Sequence, residues 1–203
     1  GKVEILKLLR RLGARPDGTT VRGVLPIHVA AEGGRGEVVD ELLRWCPELL
    51  EAEDCRGHRP IHHAAYHGHA DVVEVLLRHG ASVCPGPSSS TTTEIVGGGG
   101  PSLLQSGGGQ QSQGTTPLHL AVRSNKLAVV MVLLAGGANP LRLDSHGWTP
   151  RALAAECAQR RIGAANQDAH GAIDRVLRQA EEGVPLIWCR AAHHKYPISF
   201  KHH

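Results

Sequence analysis

Apolar residues in this chain recur with a helical period in short bursts, and the bursts come in pairs. In residues 54–84, DCRGHRPIHHAAYHGHADVVEVLLRHGASVC, apolar runs at 61–66 and 72–77 flank Gly68-His69, and Gly80 closes the unit. Residues 115–144, TTPLHLAVRSNKLAVVMVLLAGGANPLRLD, repeat the same parts in the same order. The pattern predicts helix, tight turn, helix, turn in each unit. Pro at the first helical position costs nothing, because that N–H has no partner in a helix anyway. A hydroxyl just before it, or a substitute, caps the helix. Gly68 sits where the first helix must stop, and Asp71 opens the second, where the dipole favours a negative charge. Val72, Val73, Val75, Leu76 and Leu77 form the second helix's buried stripe, and the small Ala64, Ala65 and Ala121 let paired helices approach closely. A unit of this size cannot bury its apolar face alone, so neighbours must stack.

The prolines give the register. Pro26, Pro60, Pro117 and Pro150 lie 34, 57 and 33 residues apart, a repeat of 33 with one extra residue in the first gap and 24 in the second. The motif around them reads Thr116-Pro117-Leu118-His119-Leu120-Ala121 in full. It is looser at Leu25-Pro26-Ile27-His28-Val29-Ala30 and Arg59-Pro60-Ile61-His62-His63-Ala64, and decayed at Thr149-Pro150-Arg151-Ala152-Leu153-Ala154. With that motif and period the chain resembles the ankyrin-repeat family. The resemblance covers residues 1 to 180, apart from an insertion. It implies an all-α fold, an ankyrin-repeat solenoid of stacked helix-turn-helix units with β-turn tips.

The chain then divides into a truncated first repeat (1–23), complete repeats at 24–53 and 54–84, an insertion at 85–114, a repeat at 115–147, a degenerate capping repeat at 148–183 and a tail at 184–203. The truncated start implies a fragment of a longer ankyrin-repeat chain. The insertion is almost entirely Gly, Ser, Thr, Gln and Pro, too polar to offset its ordering entropy, and reads as disordered. Closure entropy grows only logarithmically with loop length, so the stack survives it. In the last repeat, 161–171 reads as an extra loop. The helix after it is polar on one side through Arg175, Arg178, Gln179, Glu181 and Glu182, as a cap should be. The tail reads as an extended segment packing on that repeat.

Composition narrows the function. A net charge of +3, with Lys and Arg interspersed among Asp and Glu, argues against a nucleic-acid binder, which concentrates a basic face. No apolar run approaches the ~20 residues of a membrane span. Five cysteines, odd in number and without spacing pattern, point to a reducing compartment, cytosol or nucleus. No nucleophile elbow is present, and the glycines at 97–100 lack the Lys-Ser/Thr of a phosphate loop. Among 14 histidines, His63 and His67 stand four apart, a possible metal pair on one helical face. No Cys or carboxylate joins the histidine cluster at ligand spacing. The resemblance assigns His28, His62 and His119 to a structural role, tying adjacent turns by hydrogen bonds. No catalytic residue, cofactor, metal or small-molecule ligand is therefore expected.

What remains is recognition. The resemblance implies a non-enzymatic protein–protein interaction module, an adaptor or scaffold whose turn tips and first-helix faces line a concave surface. The alternative is a structural spacer, or a regulatory or targeting domain of a larger enzyme or signalling protein. Carried over by position, the tips supply Arg22 and Val24, then Cys55, Arg56 and His58, then Ser145, His146 and Trp148. The first helices supply Glu32, then Tyr66 and His67, then Arg123 and Ser124, then Glu156. The partner is another protein or peptide, of acidic or Pro-containing character, and neither a nucleic acid nor a membrane.

Overall fold

The computed structural model of the chain describes residues 2–18, 20, 22–83, 114–160 and 167–183. The insertion, except Gly114, and the tail lie outside the described residues. Among the described residues there are nine α-helices, a 3₁₀ segment and no strand, as an all-α fold requires. In chain order they are α1 (Lys2–Arg11), α2 (Pro26–Glu32), α3 (Gly36–Trp45), the 3₁₀ segment Pro47–Glu51, α4 (Pro60–His67), α5 (Ala70–Arg78), α6 (Pro117–Arg123), α7 (Leu127–Ala135), α8 (Pro150–Arg160) and α9 (Gln167–Glu181).

The helices form two rows. The first helices α2, α4, α6 and α8 pack each on the next. The second helices α1, α3, α5, α7 and α9 form the parallel row, and each pair is joined across the rows. One continuous core runs between them, including Ile27, Val39, Leu42, Leu43, Ile61, Val72, Val73, Leu76, Leu118, Val129, Val130, Leu133, Ile173 and Leu177. The small residues act as expected: Ala64, Ala65 and Ala121 are fully buried in the first-helix row. The stripe on α5 buries Val72, Val73, Val75 and Leu76. Leu77 leans out against α7, where a Cβ at Gly136 would come within 2.7 Å of its side chain.

Helix starts differ from expectation in an instructive way. Among the described helix starts, Thr116 and Thr149 cap with a hydroxyl, to the N–H groups of His119 and Ala152. Leu25 and Arg59 have no side-chain cap. There the third helical residue, His28 or His62, reaches back, its Nδ1 accepting the Leu25 or Arg59 N–H at 3.1 Å. This is half of a capping box, with imidazole in place of Glu or Gln. Arg59 faces the other way, donating to Glu51 and to Glu53 Oε1 (3.1 Å), while Glu51 Oε1 also accepts the Ser82 N–H. The extra residue of that repeat thus lies in a 3₁₀ segment that ends in an arginine clamp.

The last repeat departs from the predicted loop at 161–171, because α9 already begins at Gln167. A single mid-helix glycine, Gly171, costs only about 1 kcal/mol, and α9 docks on α8 and α7. Arg151 replaces the buried Ile27, Ile61 and Leu118 of earlier repeats. It donates to Asp174 Oδ1 (3.1 Å) and Glu181 Oε2 (3.0 Å) on α9, a polar closure of the stack.

Candidate functional site

Three turn tips share one geometry. The N–H of Thr20, Asp54 or Asp144 donates to the carbonyl of Val24, His58 or Trp148, and the N–H of Gly23, Gly57 or Gly147 donates back to the first residue. At Asp54 and Asp144 the carboxylate reinforces the turn. Asp54 Oδ1 accepts from the Arg56 and His58 N–H groups at 2.9 and 2.8 Å. Asp144 Oδ1 accepts from His146 and Trp148 at 2.8 and 2.9 Å. Burial, the largest single cause, raises both carboxyl pKa values, but these backbone donors and the neighbouring histidines together hold them below the usual carboxylate range. Successive tips are linked where the Cys55 N–H donates to the Arg22 carbonyl at 3.0 Å.

The signature histidines tie each tip to the preceding helix. Since Nδ1 accepts a bond at the helix start, Nε2 carries the proton. It donates to the Ala52 carbonyl from His28 (3.0 Å) and to the Trp148 carbonyl from His119 (2.9 Å). His62 makes the equivalent bond to the Thr115 backbone. Burial of the charged form pushes all three below the ordinary imidazole value, His62 to about 3.

The residues proposed from sequence as a partner surface sort as follows. Arg22, Cys55, Arg56, His146 and Ser145 are exposed on the tips, whereas Val24 and His58 are half-buried. Trp148 is 41% exposed and Tyr66 47%. Glu32, Tyr66, His67 and Arg123 stand exposed at the C-terminal ends of successive first helices. The structure brings some of these together. His67 Nε2 lies 3.7 Å from Glu32 Oε1, and its ring meets Tyr66 edge-on at 5.2 Å. Arg123 and Arg56 are near enough to His58 to disfavour its charged form, after burial, the larger cause. Ser124 turns inward, its hydroxyl donating to the Leu120 carbonyl. Glu156 is half-buried on α8.

The expectation that no carboxylate joins the histidine cluster does not hold. His63 and His67 turn to different carboxylates, and His63 Nε2 donates to Asp54 Oδ2 at 3.2 Å. Asp54 was overlooked because it serves the turn; the sequence signal was its spacing before His58 and His63. Among the described residues no helix is long and apolar enough to cross a membrane.

Residues 1–85 and 95–165 match a family model described as ankyrin repeats (3 copies). No curated protein matches the sequence.

Proposed function

This chain belongs to the ankyrin-repeat family, and from that premise we propose that it is a non-enzymatic adaptor whose tips and first-helix ends bind a partner protein. Ankyrin repeats are in general protein–protein interaction modules and typically non-catalytic. The observation that carries the finer reading is the exposure of Tyr66 and Trp148, 47% and 41%, in a fold whose core is built from aliphatic side chains. Large aromatics and arginines dominate interface energetics. Here Tyr66 and Trp148 occupy exposed first-helix-end and tip positions, as do Arg22, Arg56, Arg123, His67 and His146. That mixture, with Glu32 as its acidic member, suits an acidic peptide, whose carboxylates the guanidinium groups would hold while its apolar side chains cover the rings. The same reading puts the chain in a reducing compartment, cytosol or nucleus, on the ground of five cysteines that are odd in number and without a spacing pattern.

The test is affinity capture from lysate with the chain and with a variant carrying Arg56→Ala, Tyr66→Ala, Arg123→Ala and Trp148→Ala, both checked for equal folding by circular dichroism. A partner held by the first and lost by the second supports the proposal. Equal capture by both moves the site elsewhere. No capture by either favours a structural spacer.

A further inference from the structure

The fold does not require both imidazoles at the tip of the repeat 54–84. The other repeats supply the comparison. Six residues before the signature proline stand Thr20, Asp54 and Asp144, and all three close the same turn, so Asp54 is there for the backbone. Two residues before it stand Val24, His58, Thr115 and Trp148, and three after it Val29, His63, Leu120 and Leu153. The same turn forms with Val24 or Trp148 in the place of His58, and the helix forms with Val29, Leu120 or Leu153 in the place of His63. Neither His58 nor His63 is one of the signature imidazoles that tie a tip to the preceding helix, although His63 joins this tip to the following helix through Asp54.

We propose that Asp54, His58 and His63 form a site for a d-block divalent cation, Zn²⁺ in particular. One donor atom from each lies within 4.8 Å of the other two. A tetrahedral ion with bonds of about 2.0–2.1 Å spaces its ligand atoms roughly 3.3 Å apart. The 3.2 Å between Asp54 Oδ2 and His63 Nε2 is already such an edge, and the His58 donor lies within 4.8 Å of both partners' donors, so binding requires a small shift of its side chain. The carboxylate is aimed in advance: Oδ1 is held by the Arg56 and His58 N–H groups, leaving Oδ2 for an ion. Outer bonds of this kind fix a ligand's orientation.

The donor set selects the ion class. Two imidazoles and one carboxylate suit Zn²⁺ and its borderline neighbours, whereas Ca²⁺ and Mg²⁺ take oxygen ligands. For binding, His63 takes the tautomer with its single proton on Nδ1, which frees the Nε2 lone pair for the ion. Three protein donors leave a fourth position for water or for a donor from a bound partner. The positive charges of Arg56 and Arg123 near His58 oppose a cation, and the Asp54 charge offsets them. The site does not depend on the partner-binding reading, although His58 belongs to both.

The test is calorimetric titration of Zn²⁺ into the full chain, with Co²⁺ absorption as the readout of coordination geometry. Because His193, His194, His202 and His203 also offer imidazoles, all titrations are repeated with those four changed to Ala. The expected result is one Zn²⁺ per chain, retained in the tail variant. His58→Ala and His63→Ala, each made in the tail variant, weaken it by at least about tenfold. Co²⁺ should give the intense visible bands of a tetrahedral site, and Zn²⁺ should raise Tm in the tail variant but not in His58→Ala. Loss of binding with the tail substitutions, full binding in both single variants, or no binding by the intact chain overturns the proposal. If circular dichroism shows that His63→Ala unfolds the protein, the half-exposed His58→Ala decides alone.

Discussion

Asn125 adopts φ +58°, in the left-handed region, where its Cβ is strained. Counted from the signature proline it stands where Gly34 and Gly68 stand in the two preceding repeats, with φ of +67° and +91°. Its side-chain Oδ1 is also buried without a hydrogen-bond partner. Gly at this position removes both penalties, so Asn125→Gly should stabilise the chain by about 1 kcal/mol, read as a higher urea midpoint at unchanged m-value. A lower midpoint would mean that the Asn side chain has a favourable contact after all. The two glycines are held for a further reason. A Cβ at Gly34 would fall 2.6 Å from His69 Nδ1, and one at Gly68 2.6 Å from Lys126 Cδ. In each case the residue that opens the next repeat's second helix lies over the glycine of the repeat before. That the sequence needs glycine at 68 follows from the helix stop alone; that the next repeat also leans on it becomes visible only once the units are stacked.

At the scale of the element, the repeats are joined by hydrogen bonds through neutral imidazoles. His119 is fully buried, with Nδ1 facing Thr116 and Nε2–H on the Trp148 carbonyl. Burial depresses its pKa in the folded chain, while in the unfolded chain it titrates near 6.5. The sign follows from linkage: below pH 6.5 the unfolded state binds the proton more readily, so this group's contribution to stability is complete above 6.5 and is lost as the pH falls toward the folded pKa. Stability should therefore drop between pH 7 and pH 5, and less steeply in His119→Gln, which removes the titrating ring. Urea unfolding at the two pH values measures both slopes, and equal slopes would remove His119 from the account. The helices themselves were legible in the sequence, because a pattern of Pro, small residues and a Val/Leu stripe dictates pairs of short amphipathic helices. The exceptions have local causes. Leu25 and Arg59 lack a side-chain cap because neither side chain carries an acceptor, and the N–H of His28 or His62 donates to the Leu25 or Arg59 carbonyl instead. The predicted loop before α9 is shortened because packing against α8 and α7 favours helix through Gly171. The Asp54–His63 contact was missed because it joins a turn to the following helix, and no periodicity reports where a turn's carboxylate points.

Over the whole molecule, among the described residues, each helix packs chiefly on its partner and its neighbours in the row: α3 on α1, α2 and α5, and α9 on α7 and α8. Stability in such a stack is the sum of each unit's own term and nearest-neighbour interfaces. Candidate binding residues are therefore distributed as stations along the stack, with Tyr66 on α4 and Trp148 two tips further on. The same arithmetic governs mutations. Leu43 on α3 and Leu76 on α5 are buried on adjacent second helices, whereas Leu177 lies on α9 at the far end of the row. Each Leu→Ala change should cost about 2–5 kcal/mol through lost transfer energy and the cavity left behind. The distant pair, Leu43→Ala with Leu177→Ala, should add to within about 0.5 kcal/mol, while Leu43→Ala with Leu76→Ala should depart from additivity by more than that. The measurement is a pair of double-mutant cycles in urea, each single variant being kept in a host stabilised by Asn125→Gly so that it stays folded. Additivity in both cycles would mean that the α3–α5 interface carries little coupling. Strong coupling in the distant pair would mean that a change at one end of the row rearranges or unfolds the other, and that nearest-neighbour terms do not describe the stack.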